Sequence, residues 1–274
     1  MNEPTPRSLA QLSPQLPESV RFKLVGAGGT GGIVARYGLM FVASLANSQH
    51  CNASWSIIDG DDFEDSNRSR MFFSHDGNKA AVLCDDLIDL VVESPVTLTA
   101  VEEFVTKDNM PRLFHNGDII LLTVDNHATR KLVSNHCEHE LDDFALFSCG
   151  NDGVEEDASG RPLRGTYGNC QIYLKGRYDS PSLTRFHPEI ANPVDKLPTD
   201  TKHCTEIIAS TPQILFANLA AASSLLNALW LYLCDHLHYS ELAFDIADGK
   251  MQPLAMPAPK ARKVAVAGAN ADSR

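Results

Sequence analysis

The stretch RFKLVGAGGTGGIVARYGLM, residues 21–40, decides how the rest of the chain is read. Residues 21–25 have the pattern of a short strand, residues 26–32 are glycine-rich, and residues 33–46 carry apolar side chains on most faces of a helix. A strand that passes through Gly26-x-Gly28-x-x-Gly31 into a helix can turn tightly and bring backbone close to a phosphate, and the helix start favours the anion. Gly26, Gly28, Gly29 and Gly31 are therefore candidate nucleotide contacts. A glycine turn also serves simply to pack a helix on a strand, so its meaning rests on its neighbours.

Working outward, residues 55–58 read as a second strand ending at Asp59. An acid at that strand end holds ribose hydroxyls in dinucleotide-binding folds. Asp59 lies 28 residues after Gly31, beyond the usual ~20, and residues 46–53 read as an insertion that accounts for the excess. Next comes IIDGDDFEDSNRSR, residues 57–70, with five acids, one Asn and two Arg. Asp61, Asp62, Glu64 and Asp65 read as solvated loop charges. Asn67 and Arg70 follow, and Lys79 opens a helix over residues 79–92. Two cations beside a glycine turn suit a triphosphate better than a pyrophosphate already held by backbone donors. The apolar run DIILLT, residues 118–123, has the character of a buried parallel strand and delivers Asp125, Asn126 and Arg130 at its end. A carboxylate facing phosphates there is a natural Mg²⁺ ligand, though an Asp at a helix start is equally suited to capping it.

Further strands over residues 96–105 and 145–149, with a helix over 128–141, complete an alternation of strand and helix. That implies α/β architecture, a Rossmann-like, mostly parallel sheet with helices on both faces. After residue 150 the pattern changes to a polar loop, a strand at 168–174, an irregular crossover loop at 178–203 with four prolines, an apolar helix at 214–236 and a last strand at 241–247. The domain reading is a flexible arm (1–20), one α/β unit (21–248, its nucleotide half 21–150 and its crossover half 151–248) and a disordered tail (249–274).

Net charge is −12 over 274 residues, which argues against general nucleic-acid binding. The amino terminus lacks a basic-then-apolar leader pattern, so the cytoplasm is the expected compartment. Residues 214–233 are apolar but carry two Asn and two Ser, as in a buried core helix, so no membrane span is expected. The seven cysteines form no CxxC pair, so no zinc is expected, and an odd count favours free thiols.

Taken together, GAGGTGG, IIDGDDFEDSNRSR, GNKAAVL and VDNHATR resemble the ThiF/MoeB family, which includes the ubiquitin-activating enzymes. The resemblance spans residues 21–248 and is narrowest to the short ThiF-like proteins of the PRTRC plasmid system. It implies adenylation of the C-terminal carboxylate of a ubiquitin-like β-grasp protein with ATP and Mg²⁺. It places Asp59 on the ribose, Asn67, Arg70 and Lys79 on the triphosphate, and Asp125 on the metal. It further implies a homodimer, with Arg7 or Arg21 a candidate to enter the partner's site, and leaves room for a conjugating-enzyme partner. Cys204, with Pro212 eight positions on, matches the spacing of the family's reactive cysteine. A thiolate there could take the acyl group, its pKa lowered by His203 or Lys202. Met71 stands where the family usually has Gln. Two other functions compete: an NAD(P)-dependent oxidoreductase, which leaves Asn67, Arg70, Lys79 and Asp125 without a role, and a non-catalytic binding module.

Overall fold

The computed structural model describes residues 12–69, 71–154, 164–201, 214–253 and 260–261. In chain order the elements are β1 (Ser19–Val25), α1 (Gly29–Gln49), β2 (Asn52–Ile58), α2 (Lys79–Leu87), β3 (Val96–Val101), α3 (Met110–Leu113), β4 (Asp118–Leu122), α4 (His127–Glu140), β5 (Phe144–Asn151), β6 (Tyr167–Lys175), β7 (Tyr178–Asp179), α5 (Pro188–Ala191), α6 (Leu215–Leu233), β8 (Glu241–Asp245), β9 (Lys250–Pro253) and β10 (Lys260–Ala261). Among the described residues, eight strands form one sheet in the order β3-β2-β1-β4-β5-β6-β8-β9. The first five are parallel, and β6, β8 and β9 each join antiparallel to their neighbours. The α/β, Rossmann-like expectation is met.

Burial follows the sequence patterns. All five residues of β4 are buried, because helices cover both of its faces. Ile119 and Leu121 join a core shared with α1 and α6, and Ile120 and Leu122 one shared with α3 and α4. On α1 the buried positions include Ala35, Leu39, Val42 and Ala46, one stripe at helical spacing. Trp55 and Phe22, both fully buried, stack across β1 and β2 at 5.2 Å, a contact contributing about 0.5–1.5 kcal/mol beyond its burial. Gly38 permits this packing, since a Cβ there would lie 2.6 Å from the Trp55 ring. By length and composition α1 and α6 could each cross a membrane, yet both pack on the sheet as core helices.

Three boundaries differ from expectation. The extra spacing before Asp59 is no insertion: α1 runs to Gln49, His50 ends it in the left-handed conformation (φ 54°), and β2 begins at Asn52. The stretch read as an arm is packed from residue 15 onward. The Gln15 amide donates to Leu233 O, the Leu16 amide to Gln49 Oε1, and Leu16 is buried. Part of the stretch read as a tail is β9, which adds to the sheet edge by pairing with β8. Its four residues are all exposed, so main-chain pairing places it and no apolar pattern announced it.

Candidate functional site

The strand order reverses at β1, with β2 on one side and β4 on the other. At such a switch point the helices leave on opposite faces and open a crevice beyond the strand ends. The glycine turn lies there. Gly26 has φ 93°, which favours glycine. Its amide donates to Ile58 O at 3.0 Å, and its carbonyl accepts from the Thr123 hydroxyl at 2.7 Å. A Cβ on Gly31 would sit 1.9 Å from Gly26 O, whereas one on Gly28 meets nothing within 4 Å. Gly31 is therefore demanded by helix–strand packing, and Gly28 faces open space. The first turn of α1 carries no acidic residue, and Gly28 offers no side-chain cap. That leaves a helix start suited to an anion.

Asp59 leaves β2 directly beside this turn. Its Oδ2 accepts from the Ala27 amide at 2.6 Å and its Oδ1 from the Asp61 amide at 2.9 Å. Burial pushes its carboxyl up from the usual value, against these two bonds and the charge of Lys79. Each oxygen keeps a lone pair for a further donor such as a ribose hydroxyl. Asn78 holds the next layer. Its Nδ2 donates to Asp59 O at 3.0 Å and Asp61 O at 3.1 Å, while its Oδ1 caps α2 at the Ala80 and Ala81 amides. Lys79 is thereby placed at the helix start, its Nζ 3.1 Å from Asp61 Oδ2 and its side chain mostly buried. Asp61 was read as a solvated loop charge; here it is the counter-ion of Lys79.

Asn67 is buried, and its Oδ1 accepts from the Glu64 amide at 3.0 Å, which holds the helical turn of residues 65–69. Met71 packs against Phe63, Phe73 and Val82, so apolar contact stands where the family has a polar side chain. Phe63 and Phe73 stack at 4.2 Å, and the Arg68 guanidinium lies 4.4 Å from the Phe73 ring centre. Arg70 and Cys204 lie outside the described residues, as does Arg7.

Beyond β4, Asn126 rather than Asp125 caps α4: its Oδ1 accepts from the Thr129 amide at 2.7 Å. Asp195, from the crossover loop, completes that helix start, its two oxygens accepting from the His127 and Ala128 amides at 2.7 and 2.8 Å. The Asp125 carboxylate has no capping duty and is exposed. Arg130 is buried, and its guanidinium donates to Val124 O and Cys149 O, tying the end of β4 to that of β5. Arg21 is held elsewhere. It pairs at 2.6 Å with Asp118, which is fully buried, at the opposite end of the sheet. A buried carboxylate requires its cation, so Arg21 serves its own chain.

The described cysteines are free thiols. Burial raises Cys84, Cys137 and Cys149 to about 12 and pushes Cys170 well up, which makes them poor nucleophiles. Among the described residues no group of three His, Cys, Asp or Glu side chains could hold a metal. Sequence reading missed Asn78, Thr123 and Asp195. Only Asn78, a capping residue directly before a helix, left a local signal.

A Rossmann-like crevice with an uncapped glycine helix start, a buried acid after β2, a lysine at a helix start and an exposed Asp after β4 defines a nucleotide-binding class of site. The chain belongs to the ThiF family, whose model matches residues 14–263. Solved structures of similar fold include E. coli MccB with AMPCPP and MccA (16% identity, TM-score 0.59, covering 88% of this chain and 65% of that one). E. coli MccB with ATP is similar (15%, 0.58, covering 88% and 64%). So is the microcin C7 biosynthetic enzyme MccB in complex with N-formylated MccA (14%, 0.60, covering 88% and 66%). This chain thus spans just under two thirds of those proteins' length, and at such identities the likeness is one of fold. A search of the curated proteins finds no match.

Proposed function

We propose that the protein adenylates the C-terminal carboxylate of a peptide or small protein with ATP. The observation that carries this reading is that, in a ThiF-family chain, Gly28, Asp59 and Asp125 follow the same ends of the parallel neighbours β1, β2 and β4, with Asp59 bonded to the glycine turn and Lys79 paired to Asp61 beside it. The likeness to MccB structures holding ATP, AMPCPP and MccA supports it. A carboxylate oxygen attacks the α-phosphorus, the bond to the bridging oxygen of the β-phosphate breaks, and pyrophosphate leaves with that oxygen's electron pair. No proton moves at the nucleophile, so the chain's work is positioning and charge neutralisation. The α1 start holds phosphate oxygens, Asp59 the ribose, and Lys79 exchanges Asp61 for the triphosphate. Asn67 orders the turn of residues 65–69, and the family resemblance assigns Arg70, which lies outside the described residues, to the phosphates.

Asp125 fits Mg²⁺: it is an exposed carboxylate with no cap to make. Mg²⁺ takes one or two protein carboxylates and fills its shell with water and phosphate oxygens, so it needs no larger protein cluster. When bound it supplies charge neutralisation on the triphosphate. The finer reading is a ubiquitin-like β-grasp substrate whose acyl group passes from AMP to Cys204, in a homodimer. The test is ATP–pyrophosphate exchange with and without a β-grasp protein or a peptide ending in a free carboxylate. Exchange that needs that carboxylate and fails in Asp125→Ala supports the reading. ATP binding without exchange on any carboxylate sinks it in favour of a binding module.

A further inference from the structure

Residues 180–201 run on from the end of β7, and Asp195 within them reaches the start of α4. Leu183 and Ile190 seat them in the core. Beside these apolar contacts lies one polar node. His187 lies between two carboxylates, its Nδ1 2.8 Å from Glu189 Oε1 and its Nε2 2.9 Å from Glu241 Oε2. Glu241 is almost wholly buried in β8 and also accepts from Asn169 Nδ2 at 2.9 Å. Beneath this node lies a cavity of about 10 Å³ lined by Gln171, Leu183, His187, Ser240 and Glu241 among others, room for about one water. Gln171 Oε1 is buried without a partner among the described residues, as is the hydroxyl of Ser148, its neighbour across β5 and β6. The strap is thus held to β8 at a polar node, through a hydrogen bond that depends on the protonation of a histidine.

We propose that His187 is a positioning residue, a clamp between Glu189 and Glu241 that holds residues 180–201 closed so that Asp195 fixes the turn carrying Asp125 and Asn126. The clamp is tightest when the ring donates from both nitrogens, which only the imidazolium can do. Burial works to lower the His187 pKa, but the bonds to Glu241 and Glu189 win and raise it. Glu189 is correspondingly lowered. The other groups facing the node are His127, kept below its usual value by burial and Arg130, the Tyr167 phenol, raised by burial and the nearby acids, and Asp195. The sign follows. His187 binds its proton more tightly when the strap is closed, so its contribution is complete below the open-state pKa of about 6.5. It is lost as pH rises through the raised closed-state value. The strap, and with it the Asp195 cap of α4, therefore loosens toward alkaline pH.

Hydrogen exchange on the full chain tests this without reference to catalysis. After division by the intrinsic rate, protection of the Ile190, Ala191 and Asn192 amides, bonded within the strap, falls as pH rises. Protection of the His127 and Ala128 amides falls with it. His187→Gln lowers protection at these sites about tenfold at acid pH and removes its pH dependence, while Ile120 and Leu121 in β4 stay unchanged. Wild-type protection with the same pH profile as His187→Gln overturns the clamp, as does strap opening that leaves His127 and Ala128 protected. A kinetic arm rests on the adenylation reading: in His187→Gln, exchange loses kcat with little change in KM for ATP and no longer falls at alkaline pH. If exchange is absent in wild type but the protection profile holds, adenylation fails and the clamp stands. If exchange is present and the profile is flat, the reverse is true.

Discussion

The starts of α1 and α4 flank the same crevice and are built in opposite ways. The first turn of α4 has its His127, Ala128 and Thr129 amides taken by Asp195 and Asn126. The first turn of α1 has a glycine at its cap, no side-chain acceptor and no acid. Capping the amide donors of a helix start stabilises the fold and removes an anion site; leaving them open does the reverse. On the proposed function, this difference puts the triphosphate at the start of α1. It also separates what α4 contributes, the exposed carboxylate of Asp125 just ahead of its capped start, from what α1 contributes, the donors themselves.

The comparison can be broken most severely at Gly31. Gly31→Ala forces a Cβ against Gly26 O at 1.9 Å, and we expect a loss of about 3 kcal/mol or more in urea unfolding, enough to abolish nucleotide binding with the fold. Asp125→Ala should act on chemistry alone. Exchange should fall roughly 100-fold or more, with unfolding changed by less than about 0.5 kcal/mol; a destabilised variant would assign Asp125 a structural duty. Gly28→Ala sharpens the contrast with Gly31, since its Cβ meets no protein atom. The fold should survive, and ATP affinity measured by calorimetry should drop about tenfold, a loss near 1.4 kcal/mol; unchanged affinity would move the phosphates away from α1. The smallest effect should come from Asp195→Ala, which uncaps two amides of α4 and should cost about 1 kcal/mol in thermal or urea unfolding. ATP affinity should hold within twofold, because the proposed phosphate site is the start of α1.

Legibility followed the range of the interactions. Gly26, Gly31 and Asp59 were readable because a tight turn, a helix–strand approach and a strand-end acid each leave a mark within a few residues. Lys79 was readable at a helix start, and Asn78 beside it was equally local yet passed over. Arg130 was seen as part of a motif, but its burial between Val124 O and Cys149 O needed β5 in place. Arg21 looked available for a partner and proved to be the counter-ion of Asp118, a residue 97 positions away. β9 escaped because an exposed edge strand has no apolar alternation to detect.

The order of residues determined the parallel half: apolar runs separated by helices at 3.6-residue spacing admit few arrangements other than a doubly wound sheet, and the glycines mark its crevice. The tertiary structure alone decided the partnerships across that crevice. Thr123 reaches Gly26, Asp61 holds Lys79, Asp195 caps α4 from 68 residues away, and His187 joins α5 to β8 across 54. Hydrogen bonds between residues far apart in the chain depend on where the packed core brings the backbone, and short patterns carry no record of that.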